Sequence, residues 1–90
     1  MLLGWRIRFT PKAEKNLSAL GVMEARRILV FLQERVIPNP RGHGGPLKGQ
    51  LREFWRWRVG DIRILGRIEE DHLIVLVVHI EHRSKVYSKK

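Results

Sequence analysis

The stretch FWRWRVGDIRI, Phe54 to Ile64, alternates large apolar side chains with three arginines on both sides of a Gly-Asp pair. A period of two is the mark of a strand with one buried and one solvated face. Two such runs joined by two residues make a hairpin, and glycine at the first central position of Gly60-Asp61 suits a type II′ turn. That turn sets the register. Val59 faces Ile62, Arg58 faces Arg63, Trp57 faces Ile64 and Arg56 faces Leu65. Trp55, Trp57, Val59, Ile62 and Ile64 then share the core side, and Arg56, Arg58 and Arg63 share the other.

On the N-terminal side, GWRIRFTP alternates Trp5, Ile7 and Phe9 against Arg6 and Arg8, a second half-buried strand. Thr10-Pro11 is a helix-start signal, a hydroxyl cap followed by the residue that tolerates the first helical position. Ala13, Leu17 and Leu20 recur at helical spacing until Gly21 stops them. A second helix carries Ala25, Ile28, Leu29, Leu32 and Val36 as its apolar stripe and ends at Pro38. The short link at Gly21 predicts an antiparallel helical hairpin. PNPRGHGGPLKG, Pro38 to Gly49, holds four glycines and three prolines and reads as loop.

Strands are then expected over Glu53–Val59, Ile62–Glu69 and His72–Ile80. The last is almost unbroken aliphatic, as suits a central strand. The tail EHRSKVYSKK has room for one helical turn. The order strand, helix, helix, strand, strand, strand predicts an α+β fold, one domain over residues 1–90 with a single antiparallel sheet packed on a helical hairpin.

Eighteen Lys and Arg against nine Asp and Glu give a formal net charge of +9 in 90 residues. This excess points to a polyanionic partner: nucleic acid, an acidic membrane surface or an acidic protein. The chain has no cysteine, which excludes disulfides and thiolate zinc sites. No apolar run approaches the roughly 20 residues of a membrane span, and the start MLLGWRIRF has no signal-peptide pattern. A soluble, cytoplasmic protein that does not bind membranes is expected. The four histidines, His43, His72, His79 and His82, lack ligand spacing, so neither a metal nor a cofactor is expected.

Two arginines facing each other across a ladder repel, so the cationic cluster departs from what stability alone selects. Guanidinium groups suit phosphate because they are permanently charged, bidentate donors. With Glu70-Asp71 as the second turn, Val78 lies opposite Arg63. Val78, Ile80 and His82 then share the arginine side if the strand is regular, with Arg83 and Tyr87 just beyond. Such a face can hold a phosphodiester and do acid–base chemistry on it. By the same parity Trp55 and Trp57 are core residues rather than base-stacking platforms.

The strand-helix-helix start followed by PLKG (Pro46 to Gly49), FWRWRVGDIRI and EHRSKVY (Glu81 to Tyr87) resembles the RelE/ParE superfamily of bacterial type II toxins, from Trp5 to Tyr87. The resemblance implies a ribosome-dependent mRNA endoribonuclease if the chain is RelE-like. The alternatives are a ParE-like poison of DNA gyrase, or a non-catalytic corepressor subunit that only binds nucleic acid. In the ribonuclease reading Arg56, Arg58 and Arg63 match the basic residues around the turn, Tyr87 the terminal aromatic, and His82 a position where relatives carry a histidine.

One departure is visible. The ribonuclease branch carries an arginine near the position of Glu81. Regular alternation puts Glu81 on the opposite face and leaves that role to Arg83 or His82. The implied reaction is metal-independent attack of an RNA 2′-hydroxyl on the adjoining phosphate, inhibiting translation. His82 and Tyr87 would divide the acid and base roles. The implied partners are a cognate antitoxin protein, the ribosome and mRNA, with operator DNA reached only through the antitoxin complex. Arg41 and His43 in the long loop are candidate contacts to ribosomal RNA.

Overall fold

The computed structural model describes residues 4–83. Strand β1 (Arg6–Phe9) leads into helix α1 (Pro11–Leu20) and helix α2 (Val22–Phe31). Thr10 caps α1 as its sequence suggests, its hydroxyl accepting the Ala13 N–H at 3.1 Å, and Pro11 opens the first turn. Gly21, with φ of 94°, separates the helices. The chain stays helical beyond α2 through a wider turn over Leu32–Val36, where the Ile37 N–H reaches the Leu32 carbonyl. A turn of 3₁₀ helix (Pro40–Gly42), the two-residue strand β2 (Gly45–Pro46) and another 3₁₀ turn (Gly49–Leu51) fill the glycine- and proline-rich connection. Strands β3 (Trp55–Val59), β4 (Ile62–Glu69) and β5 (Ile74–His82) follow.

The five strands form one sheet in the order β1-β5-β4-β3-β2. The α+β class is as expected, but the sheet is mixed rather than wholly antiparallel, because β1 lies parallel to β5. An aliphatic central strand needs partners on both edges. The helical pair returns the chain so that β1 fills the second one, a direction that alternation in β1 does not encode.

The β3–β4 ladder has the expected register, with Arg58 opposite Arg63, Trp57 opposite Ile64 and Arg56 opposite Leu65. Gly60 has φ of 59° and Asp61 is not in the left-handed region, as a type II′ turn requires. The β4–β5 ladder differs. Its connection spans four residues rather than two, so Glu69 pairs with Ile74. That change moves partners by two positions and leaves the faces unaltered. A bulge then follows: Gly66 pairs with Val77 but Leu65 with His79, leaving Val78 as an extra residue on β5. One extra residue exchanges the two faces for the rest of the strand. Arg63 therefore lies opposite Glu81, not Val78, and Ile62 opposite His82.

Side chains of α1 support β5 past the bulge, where β1 has ended. The Thr10 hydroxyl donates to the Val78 carbonyl at 3.4 Å, and the Ile80 N–H donates to Asn16 Oδ1 at 3.1 Å. The core lies between helices and sheet and contains Ala13, Leu20, Ile28, Leu32, Val36, Trp57, Ile62, Ile64, Val75, Val77 and Ile80. Leu29, expected in the apolar stripe, is instead exposed, because Ile28, Leu32 and Val36 already fill the inward-facing line at i, i+4 and i+8. No described polar or charged residue is buried.

Trp57 is fully buried, and its indole N–H donates to the Pro40 carbonyl at 3.0 Å. Trp57→Phe shrinks the core side chain and leaves that carbonyl unpaired. A loss of about 2–4 kcal/mol is expected, read as a lower urea midpoint at unchanged m-value.

Candidate functional site

The sheet face turned away from the helices carries arginines from three strands. Along β3 and β4 alternation sends Trp57, Ile62 and Ile64 inward, so Arg56, Arg58, Arg63 and Arg67 point out. Arg6 and Arg8 join them from β1, in register with Ile74 and Leu76. The ladder arranges these side chains in rows. One row runs Arg58, Arg63, Glu81; the next runs Arg56, Leu65, His79; a third contains Arg67, Leu76 and Arg8.

The expected trio Arg56, Arg58 and Arg63 is thus brought together. Neither Arg56 nor Arg58 has an ion-pair partner among the described residues. Arg63 contacts Glu81 at 3.5 Å, both side chains being more than two-fifths exposed. An exposed pair of this kind contributes only about 0–1 kcal/mol, so an incoming phosphate can displace it. Arg67 is directed elsewhere, near Glu53 at 3.9 Å and over the Phe54 ring at 6.0 Å.

The bulge decides which histidine faces the arginines. His82 was expected there, but its register with Ile62 places it on the helix side of the sheet. His79 takes the place instead. Its Nε2 lies 3.1 Å from Glu81 Oε1, and its Nδ1 is buried with no hydrogen-bond partner among the described residues. An imidazole protonated at Nε2 donates to the carboxylate and keeps only a lone pair on the buried side, the cheaper arrangement because a buried N–H without an acceptor is costly. Glu81 is correspondingly on the arginine face rather than behind it. One oxygen is held by His79, while the other, Oε2, is the one nearer Arg63.

Arg83 is exposed at the end of β5, its backbone N–H donating to the Asp61 carbonyl at 2.6 Å. Tyr87 and the expected C-terminal helical turn lie outside the described residues.

Sequence reasoning missed His79 and the position of Glu81 for one cause, the extra residue at Val78. Arg6 and Arg8 were legible as outward residues of β1. Their place on the same face follows only from β1 pairing with β5.

At the far end of the sheet Arg41, Arg52 and Arg67 mix with Glu53, Glu69, Glu70, Asp71 and His72 around a cleft of about 660 Å³. Arg41 pairs with Glu70 and stacks over Trp55. With three arginines against four carboxylates, this end lacks the cationic excess of the Arg56–Arg58–Arg63 corner. Among the described residues no group of three or more His, Asp or Glu side chains is placed to hold a metal ion, and no helix is long and apolar enough to cross a membrane.

Comparison with known proteins agrees with this geometry. The family model described as the ParE toxin of type II toxin–antitoxin systems matches residues 7–87. Toxin RelG of Mycobacterium tuberculosis is 27% identical over 85 residues, which cover 94% of this chain and 98% of that one. Toxin RelE of the same organism is 29% identical over 83 residues, covering 92% and 86%. Among solved structures, a RelBE toxin–antitoxin complex from M. tuberculosis contains a chain of the same fold, with a TM-score of 0.85, 26% identity, and coverage of 94% of this chain and 98% of that one. The isolated E. coli RelE toxin shares the fold at a TM-score of 0.75 and 18% identity, covering 91% and 87%. A match spanning nearly the whole chain, on a sheet whose topology and register are those described above, shows that the chain belongs to the ParE toxin family, within the RelE/ParE superfamily of type II toxin–antitoxin toxins.

Proposed function

We propose that the chain, one toxin domain over residues 1–90, is a ribosome-dependent mRNA endoribonuclease working in the cytoplasm. The observation that carries this reading is the placement of Arg56, Arg58 and Arg63 on one open sheet face, with Arg58 directly opposite Arg63. Such a like-charge pair weakens the hairpin but fits a phosphodiester, whose pentacoordinate transition state gains negative charge. The RNA 2′-oxygen attacks phosphorus as the bond to the 5′-oxygen breaks, leaving a 2′,3′-cyclic phosphate and a 5′-hydroxyl. Arg56, Arg58 and Arg63 clamp the non-bridging oxygens, and Arg83 adds charge at the strand end. Glu81 takes the 2′-hydroxyl proton, held in place by His79. Tyr87, in the position the family resemblance gives it, returns a proton to the leaving 5′-oxygen. His79 with Glu81 replaces His82 in the acid–base role.

The net charge of +9 draws the protein to ribosomal RNA through counterion release. A cognate antitoxin is the second partner, by analogy with the toxin–antitoxin complexes solved for relatives. Operator DNA is reached through that complex.

A second reading rests on the Arg63–Glu81 contact, which lowers the positive charge where the ribonuclease branch has an arginine. It makes the protein a toxin that binds without cutting, as in the gyrase-poisoning branch.

Primer extension on mRNA in a translating extract separates the two. Cuts at ribosome-occupied codons are expected with the wild-type protein. Arg56→Ala, Arg63→Ala and Glu81→Gln should each slow cutting about a hundredfold or more. An intact message would remove the ribonuclease reading and direct the test to gyrase supercoiling.

Arg58→Glu supplies a complementary measurement. Placing a carboxylate opposite Arg63 should raise folding stability by up to about 1 kcal/mol while abolishing cleavage. Loss of stability together with activity would mean that Arg58 serves the fold rather than the substrate.

A further inference from the structure

Among the described residues, no strand covers the outer edge of β3 beyond the short β2, which pairs Gly45 with Arg56 and Pro46 with Trp55. The open flank is a groove of about 470 Å³ lined by Phe31, His43, Gly44, Gly45, Arg56 and Arg58. Its walls are held firmly. Phe31 closes α2 and packs on the core, and the His43 ring meets it edge to face with centroids 6.5 Å apart. The His43 carbonyl accepts a 2.7 Å hydrogen bond from Trp55 Nε1. Gly44, with φ of 73°, brings the loop so near β3 that a Cβ there would lie 1.9 Å from the Arg56 carbonyl oxygen. His43 is therefore presented by a pinned segment rather than by a loose loop tip.

Two aromatic rings, two guanidinium groups and two side-chain-free glycines line a space of nucleotide size. Aromatic side chains take bases by stacking, and guanidinium groups both stack on planar rings and bind phosphate. The two arginines of the groove are also two of the three on the arginine face, so a phosphate on that face and a base in the groove are adjoining parts of one strand. Duplexes keep their bases inside, which makes the matching occupant a single strand.

We propose that this groove is a nucleobase subsite, seating the base next to the phosphate held by Arg56 and Arg58 against Phe31 and His43. The assignment deepens the RNA reading given above and rests on it for the identity of the natural strand.

The test is an NMR titration of the purified protein with each of the four nucleoside 5′-monophosphates, and separately with ribose 5-phosphate, which lacks the base. Nucleotides are expected to shift the amides of His43, Gly44 and Gly45 and the ring protons of Phe31, and ribose 5-phosphate is not. His43→Ala and Phe31→Leu, the latter keeping apolar volume without a ring, should each weaken nucleotide binding about tenfold and leave ribose 5-phosphate unchanged. Equal binding of the two ligands, or nucleotide shifts confined to other residues, would overturn the subsite. Because the titration does not require cleavage, a protein that cuts no RNA yet shows the base-dependent shifts keeps the subsite while losing the ribonuclease assignment. A protein that cuts RNA without those shifts does the reverse.

Discussion

Burial of Trp57 is the constraint to which the rest of the molecule answers. Its indole is enclosed between helices and sheet, and its N–H is satisfied by the Pro40 carbonyl. Alternation then commits Arg56 and Arg58, its neighbours on either side, to the open face. The two-residue turn at Gly60-Asp61 carries that commitment to β4 and sets Arg63 opposite Arg58. A slip of one residue would expose Trp57 and drive guanidinium groups into the core, so one buried side chain protects the geometry of the whole cationic corner. The same burial ties the long loop to the sheet. Pro40 is held by Trp57 and His43 by Trp55, which fixes the outer wall of the groove beside the arginines.

The parts of the fold set by nearest neighbours were legible in the sequence. The cap at Thr10, the break at Gly21, the β3–β4 hairpin and its register all depend on residues a few positions apart. The β4–β5 pairing did not yield in the same way, and its two deviations have unequal consequences. A longer connection shifted the partners by an even number and left every face intact. The single residue added at Val78 exchanged the faces, moved Ile80 into the core, turned His82 away from the arginines and brought in His79 and Glu81. Val78 itself looks like any other residue in an aliphatic run. The support for the bulge comes from α1, through Thr10 and Asn16, more than sixty residues earlier in the chain. The parallel pairing of β1 was hidden for the same reason, since it follows from how a central strand fills its second edge.

The arginine corner shows the balance between stability and function on a small scale. The apolar residues buried on β3 and β4 keep the alternation of a stable hairpin, while the outer residues of the same strands put like charges face to face. Among the described residues Glu81 offsets this charge, through an exposed contact that a multiply charged ligand can replace. A carboxylate in that position keeps the unliganded face from maximal repulsion without closing it.

The use of arginine rather than lysine on this face has a consequence for any chemistry done there. A guanidinium group stays protonated throughout the accessible pH range, so Arg56, Arg58 and Arg63 can hold charge but cannot carry a proton between substrate atoms. A lysine in the same place could do both. Proton transfer must then come from other groups, and among the described residues lined up with these arginines in the ladder only Glu81 and His79 can supply it. His79, with Nδ1 buried, meets one carboxylate oxygen through Nε2, and the other oxygen is the one nearer Arg63. In the proposed cleavage reaction, the carboxylate that takes a positive charge from the face is thus also the group that would serve an all-arginine clamp as base.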